Sequence, residues 1–184
     1  EMKDEAGKSV AVHEAQFAVS AHKQLDCVGC HTAALGVKHK GKRQPLGPVS
    51  FDVCRECHED EITPFQDSVH ARIKGGKPGT CVGCHGNVHT FVRSNNPAAA
   101  MAPLNQVRNC GVCHEDMMEG YLSSVHARSL FVSGLTDAAP SCSDCHGSHD
   151  IQRHDAAGAR TSHKTSPETC GECHKGILKE WDES

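Results

Sequence analysis

This 184-residue chain is short of the side chains that build a globular core. Aromatics make up 4% of it, with one Trp, one Tyr and five Phe, and apolar residues of every kind reach only 37%. Mean hydropathy is −0.49. A chain of this length ordinarily forms one domain around an aliphatic core of its own, and this composition cannot furnish one. No stretch approaches the ~18 consecutive apolar residues of a membrane span. Neither sign of charge dominates, with 19 Lys and Arg against 23 Asp and Glu and a formal net charge of −4. One short basic run, Lys38-His39-Lys40-Gly41-Lys42-Arg43, is the local exception. In excess are 12 cysteines and 15 histidines.

All twelve cysteines fall into six copies of Cys-x-x-Cys-His. They are Cys27-Cys30-His31, Cys54-Cys57-His58, Cys81-Cys84-His85, Cys110-Cys113-His114, Cys142-Cys145-His146 and Cys170-Cys173-His174. In this motif the two thiols add to the vinyl groups of a haem, and the histidine binds its iron from the proximal face. The competing meanings fail on detail. A thioredoxin-like Cys-x-x-Cys occurs once per domain and needs no following histidine. Paired zinc sites leave the fifth-position histidine unexplained six times. A disulfide framework predicts an even number of cysteines but no fixed spacing. The sequence therefore predicts six covalently attached c-type haems.

About 31 residues then serve each haem, and the macrocycles must supply most of the buried apolar surface. The expected fold is mostly coil with a few short α-helices wrapped around six haems, and little or no β-sheet. A ferric c haem with both propionates ionised carries roughly −1, which takes the oxidised holoprotein to about −10 and the reduced form to about −16. A nucleic-acid partner does not suit such a charge. The basic run at 38–43 reads as neutralising nearby propionates, with docking of an acidic partner as the alternative.

The chain also repeats internally. Cys54-Arg55-Glu56-Cys57-His58-Glu59-Asp60 aligns with Cys110-Gly111-Val112-Cys113-His114-Glu115-Asp116. An identical Ser-Val-His-Ala-Arg follows each, at Ser68–Arg72 and Ser124–Arg128. Each copy then reaches a second motif with a trailing histidine, Cys81-Val82-Gly83-Cys84-His85-Gly86 with His89, and Cys142-Ser143-Asp144-Cys145-His146-Gly147-Ser148-His149. One domain thus divides into a half-unit at 1–45, full units at 46–104 and 105–160, and a half-unit at 161–184. Helices are expected from 51 toward 73, with Pro64 disturbing the first, from 107 toward 130, and from Ser166-Pro167 to near Trp181. Gly- and Pro-rich runs at 75–79 and 95–103 read as loops.

Nine histidines lie outside the motifs. The repeat selects six of them as distal ligands: His22, His39, His70, His89, His126 and His149. His154 reads as a solvated surface residue, and His163 and His13 are reserves, His163 first. In a helix His58 and His70 would stand ~18 Å apart along the axis, and His85 and His89 would share one face at i, i+4. Neither pair can sandwich one iron, so each distal histidine must serve a haem other than its sequence neighbour. Which haem it serves is open. Met101, Met117 and Met118 are alternative axial ligands that raise the potential; they are read as packing residues.

The six motifs and the Ser-Val-His…Cys-x-x-Cys-His-Gly-x-His pattern resemble the small multihaem c-type cytochromes that relay electrons in respiratory chains and to extracellular acceptors. The resemblance covers residues 13–178. It implies electron transfer rather than catalysis, redox proteins or extracellular acceptors as partners, and attachment of haem outside the cytoplasm. The chain opening on Glu1 rather than Met suits a processed, exported protein, periplasmic or at the cell surface. Some relatives polymerise into cell-surface filaments. Head-to-tail stacking of the two half-units would generate such an open polymer, with a ligand such as His13 or His22 of a neighbour completing the last haem. A soluble periplasmic carrier is the alternative. A multihaem reductase of nitrite or hydroxylamine would need one haem with an open position, and the Cys-x-x-Cys-Lys attachment of one such family is absent.

Coil this polar cannot offset its ordering entropy without the cofactors. The chain made without haem attachment should therefore give a coil spectrum in far-ultraviolet circular dichroism. A cooperative thermal transition in that apo-chain would contradict this account.

Overall fold

The computed structural model describes residues 12–32, 49–72 and 79–184. His39 and the basic run at 38–43 lie outside the described residues, as does most of the loop expected at 75–79. The described residues form helices joined by turns and coil, with no strand. The helices are α1 (Glu14–Phe17), α2 (Cys27–Cys30), α3 (Phe51–Asp67), α4 (Cys81–His85), α5 (Pro103–Gly111), α6 (Glu115–Leu122), α7 (Val125–Phe131), α8 (Cys142–His146), α9 (Ser166–Gly171) and α10 (Lys175–Asp182).

Five of the six motifs adopt two local geometries, while the motif at 27–31 is an uncapped turn, Cys27–Cys30, that ends at His31 with φ, ψ of −101°, 67°. At 54–58, 110–114 and 170–174 the cysteines end one helical segment and the histidine interrupts it. His58, His114 and His174 have φ, ψ of −123°, 37°, of −117°, 53° and of −93°, 54°, all off the helix. A second helical segment starts at the next residue. The long helix expected from residue 51 is therefore bent at His58 rather than at Pro64, and it ends at Asp67. The one expected from 107 to 130 is three helices and begins at Pro103. The third starts at Ser166 behind Thr165 and breaks at His174.

The motifs at 81–85 and 142–146 are single helical turns. Thr80 accepts a hydrogen bond from the Gly83 N–H at 3.3 Å. Ser141 donates its N–H and its hydroxyl to the Asp144 carboxylate at 2.7 and 2.8 Å. Gly86 and Gly147 end the turns at φ 84° and 83°, a region that costs any side chain bearing a Cβ. The glycine after the histidine is thus the residue that turns the chain out toward His89 and His149.

The Ser-x-His repeat has a structural counterpart. Ser68 accepts from the Ala71 N–H at 3.4 Å and Ser124 from the Ala127 N–H at 3.1 Å, each capping the turn that carries the histidine. The residue after the serine docks on the chain two positions beyond a trailing histidine. Ala21 N–H donates to the Phe91 carbonyl and Val69 N–H to the Ile151 carbonyl, both at 2.9 Å.

The apolar core is small. Val107, Leu130 and Ala139 form its buried cluster, with Met118, Tyr121 and Cys142 packed against it. Tyr121 donates its hydroxyl to the Pro140 carbonyl at 2.7 Å. Gln106, buried beside them, bonds both the Ser143 hydroxyl and the Ser143 N–H at 2.9 Å, which pins α8 to α5. Met118 is thus a packing residue, while Met117 is exposed.

Gly111 and Gly171 let the helix pairs α5–α6 and α9–α10 close. A Cβ on Gly171 would stand 2.8 Å from the Leu178 Cβ, and one on Gly111 would stand 3.1 Å from the Met118 Cβ. Arg55 occupies the equivalent place in α3 and bonds Glu59 instead. Overpacking of this kind costs roughly 1–3 kcal/mol. Gly171→Ala should therefore lower the midpoint of denaturant unfolding of the haem-loaded protein, and more than Gly111→Ala, where the flexible Met118 can yield. Equal midpoints for wild type and Gly171→Ala would contradict the close approach.

Candidate haem centres

Five of the six motif histidines face a histidine from outside the motifs. Ring centroids are 5.8 Å apart for His31 and His89, and 6.0 Å for His58 and His22. They are 6.0 Å apart for His85 and His149, 6.1 Å for His114 and His70, and 6.1 Å for His174 and His126. Imidazoles can meet at such distances by edge or offset packing alone. Random packing does not, however, pair one motif histidine with one non-motif histidine in every case.

The spacing fits an iron. Two imidazoles bound to one metal through nitrogen–metal bonds of about 2 Å have centroids roughly 6 Å apart. The protonation state fits as well. Burial holds His70, His85 and His89 below the usual histidine range, and facing imidazoles add to it: His114 for His70, His149 and His58 for His85, His31 and His22 for His89. The neutral ring that results is the form that ligates a metal. Exposed apolar residues near the motifs, among them Val112, Met117, Ile177 and Trp181, supply surface that suits a macrocycle.

The structure does not bring His85 to His89 or His58 to His70; every pair joins different repeats. His126 stands against His174 and His22 against His58, so neither the last motif nor His22 is left for a neighbouring chain. His13, His154 and His163 are exposed and in no ring pair. Among the described residues His146 also has no histidine partner. Its Nδ1 lies 3.4 Å from the Thr161 hydroxyl, and burial followed by His114 depresses its pKa.

The thiols of successive motifs influence one another in chain order. Cys54 is pushed up by burial and then by the Cys81 and Cys30 thiols. Burial, Cys110 and Cys113 raise Cys84. The facing thiols of Cys110 and Cys142 act on each other, which raises Cys110 and lowers Cys142. Cys145 is raised by burial and Asp144, with Cys170 and Cys173 adding. Asn109 reinforces one junction by donating to the Cys84 carbonyl at 2.7 Å.

Three neighbours of the rings went unnoticed in the sequence. Phe91 lies 5.0 Å from His22 and 6.0 Å from His85, ring to ring, between two of the pairs. The repeat alignment could have marked it, since Ile151 holds the matching place after His149. Glu61 lies beside His58 and Phe17 beside His89; no pattern pointed to either.

No curated protein and no solved structure matches the chain. The family model of the class III cytochrome c family matches residues 1–114. That span is more than half of the chain and contains the first four Cys-x-x-Cys-His motifs with three of the facing histidine pairs. The chain belongs to the class III cytochrome c family: it is a small multihaem c-type cytochrome, a protein of electron transfer.

Proposed function

We propose that the chain holds six c-type haems and passes electrons along them in chain order. The five facing histidine pairs carry this reading. Each motif contributes two thioethers and a proximal ligand, and the distal ligands are His89 for the His31 centre, His22 for His58, His149 for His85, His70 for His114 and His126 for His174. A haem held between two imidazoles takes up and releases an electron without offering a binding position. The thiols of successive motifs lie near enough to perturb one another, Cys30 and Cys81 acting on Cys54, Cys110 on Cys84, Cys142 on Cys110 and Cys170 on Cys145, and this proximity supports a linear order from the first motif to the sixth.

The pairs also obey a rule. Motifs at 54, 110 and 170 take the Ser-x-His histidine of the preceding repeat. Motifs at 27 and 81 take the trailing histidine of the following repeat. By the same rule the motif at 142 calls for a trailing histidine, and one trailing histidine, His39, has no motif to serve. We assign the sixth ligand of the His146 centre to His39 of a second copy docked head to tail. The half-unit at 161–184 then meets the half-unit at 1–45, and the repeat of 46–104 and 105–160 runs on across the junction. A heterologous contact of this kind does not close on itself and builds a filament. The protein is placed outside the cytoplasm, in the periplasm or at the cell surface, with redox proteins or extracellular acceptors as partners.

Two other readings follow from His146 and are separated by one experiment. Electron microscopy of the natively purified, haem-loaded protein should show filaments, with every haem low-spin in electron paramagnetic resonance. His39→Ala should give single particles that keep all six haems by mass and show one high-spin ferric signal. Wild-type single particles with six low-spin haems would mean a soluble carrier. A high-spin signal in wild type that shifts with nitrite or cyanide would mean a reductase.

A further inference from the structure

Of the five histidine pairs, the one formed by His22 and His58 is distinguished by what faces its outer nitrogens. His58 Nδ1 lies 3.6 Å from Oε2 of Glu61, one turn further along α3. His22 Nδ1 lies 3.4 Å from the carbonyl oxygen of Val88. His22 Nδ1 thus faces a carbonyl acceptor, and His58 Nδ1 has a carboxylate charge beside it at longer than hydrogen-bond length; both favour a proton on Nδ1, which leaves Nε2 free for a metal. Among the described residues no other pair has an acceptor at both rings, and Glu61 pairs with no lysine or arginine.

The repeat provides an internal control. The residue three positions after the motif histidine is Glu61 after His58, Met117 after His114 and Ile177 after His174. The backbone at all three histidines has the same break. The three sites share a local fold, and only one carries a charge at that position.

A carboxylate beside the Nδ1–H of a ligating imidazole draws on that proton and makes the ring a stronger donor. A stronger donor, together with the negative charge itself, favours the ferric over the ferrous state and lowers the reduction potential. A carbonyl on the opposite ligand acts in the same direction with a dipole in place of a charge. An exposed i, i+3 contact contributes little to stability, so its consequence falls on the potential rather than on the fold.

We propose that Glu61, with the Val88 carbonyl opposite, makes the His22–His58 centre the lowest-potential site of the relay. Glu61 is a positioning and tuning residue that acts through His58. This rests on the reading of His22 and His58 as the two ligands of one haem. In the chain order derived above the centre is second, so it separates the first haem from the other four by an uphill step. An electron that arrives there comes from a neighbouring haem and leaves to the next, and the Nδ1 proton stays on His58 throughout.

The test is a spectroelectrochemical titration of the haem-loaded protein, followed by paramagnetic resonance at each potential. Glu61→Gln keeps the shape of the side chain and removes its charge. It should move the lowest of the one-electron transitions upward, leave the others in place and keep every haem low-spin. Glu61→Asp should return the transition part of the way. Met117→Glu places a carboxylate at the matching position and should drag a second transition, from the His114 centre, downward. A lowest transition that stays put in Glu61→Gln, or a Met117→Glu that moves none, overturns the tuning role. His58→Ala separates the two levels: the loss of one low-spin haem upholds the ligand assignment, and six unchanged low-spin haems would sink it together with the proposal.

Discussion

An imidazole on each side of one iron is, in the arrangement proposed, the bond on which the remaining structure depends. Among the described residues the buried side chains are mostly alanine and serine, with Ile62, Gln106, Val107 and Leu130 the larger exceptions. Such a core cannot bring His31 to His89 or His85 to His149 against the entropy of the intervening loops. On the proposed reading, covalent attachment of a large apolar group at each motif, followed by capture of a histidine from another repeat, would tie segments distant in sequence and supply the missing buried surface at once. The helices then need only be long enough to hold a motif and to present a ring.

The small structural devices follow from that demand. A histidine inside a continuous helix would project from the helix surface in register with its neighbours. The break at His58, His114 and His174 releases the ring from that register, and the glycines at 111 and 171 allow the two flanking helices to fold together around the break. In the motifs at 81–85 and 142–146 one capped turn and a glycine at positive φ do the same job with fewer residues. Serine caps at Ser68 and Ser124 hold the turns that carry His70 and His126, and the hydrogen bonds from Ala21 to Phe91 and from Val69 to Ile151 tie the segments of His22 and His70 to the chain just beyond His89 and His149. These contacts link the repeats into a chain with a direction, which is the geometric requirement for a relay.

Much of this was legible in the sequence, and the limit has a physical cause. Attachment chemistry is local, so six motifs could be read from spacing alone, and helix geometry forbade His85 from sharing an iron with His89. Family membership and the absence of strands among the described residues agree with a multihaem c-type cytochrome. The pairing was not legible, because it depends on which repeats lie side by side and no residue type encodes that. The break at His58 was missed because a histidine has no strong helix-breaking tendency, while Pro64, the obvious breaker, sits inside α3. His174 of the last motif, for which a neighbour's His13 or His22 was expected, faces His126 of the same chain, and His146 is the motif histidine without a facing histidine among the described residues. Glu61 carries no signature beyond its place in the repeat.

The central claim is that histidines exchanged between repeats join the haems in chain order. A cryo-electron microscopy map of the haem-loaded protein tests it most directly. The account predicts six macrocycles running from the Cys27 motif to the Cys170 motif, with axial pairs His31–His89, His58–His22, His85–His149, His114–His70 and His174–His126. A macrocycle bridged by two histidines of the same motif segment, or a haem order that skips between motifs, would contradict it.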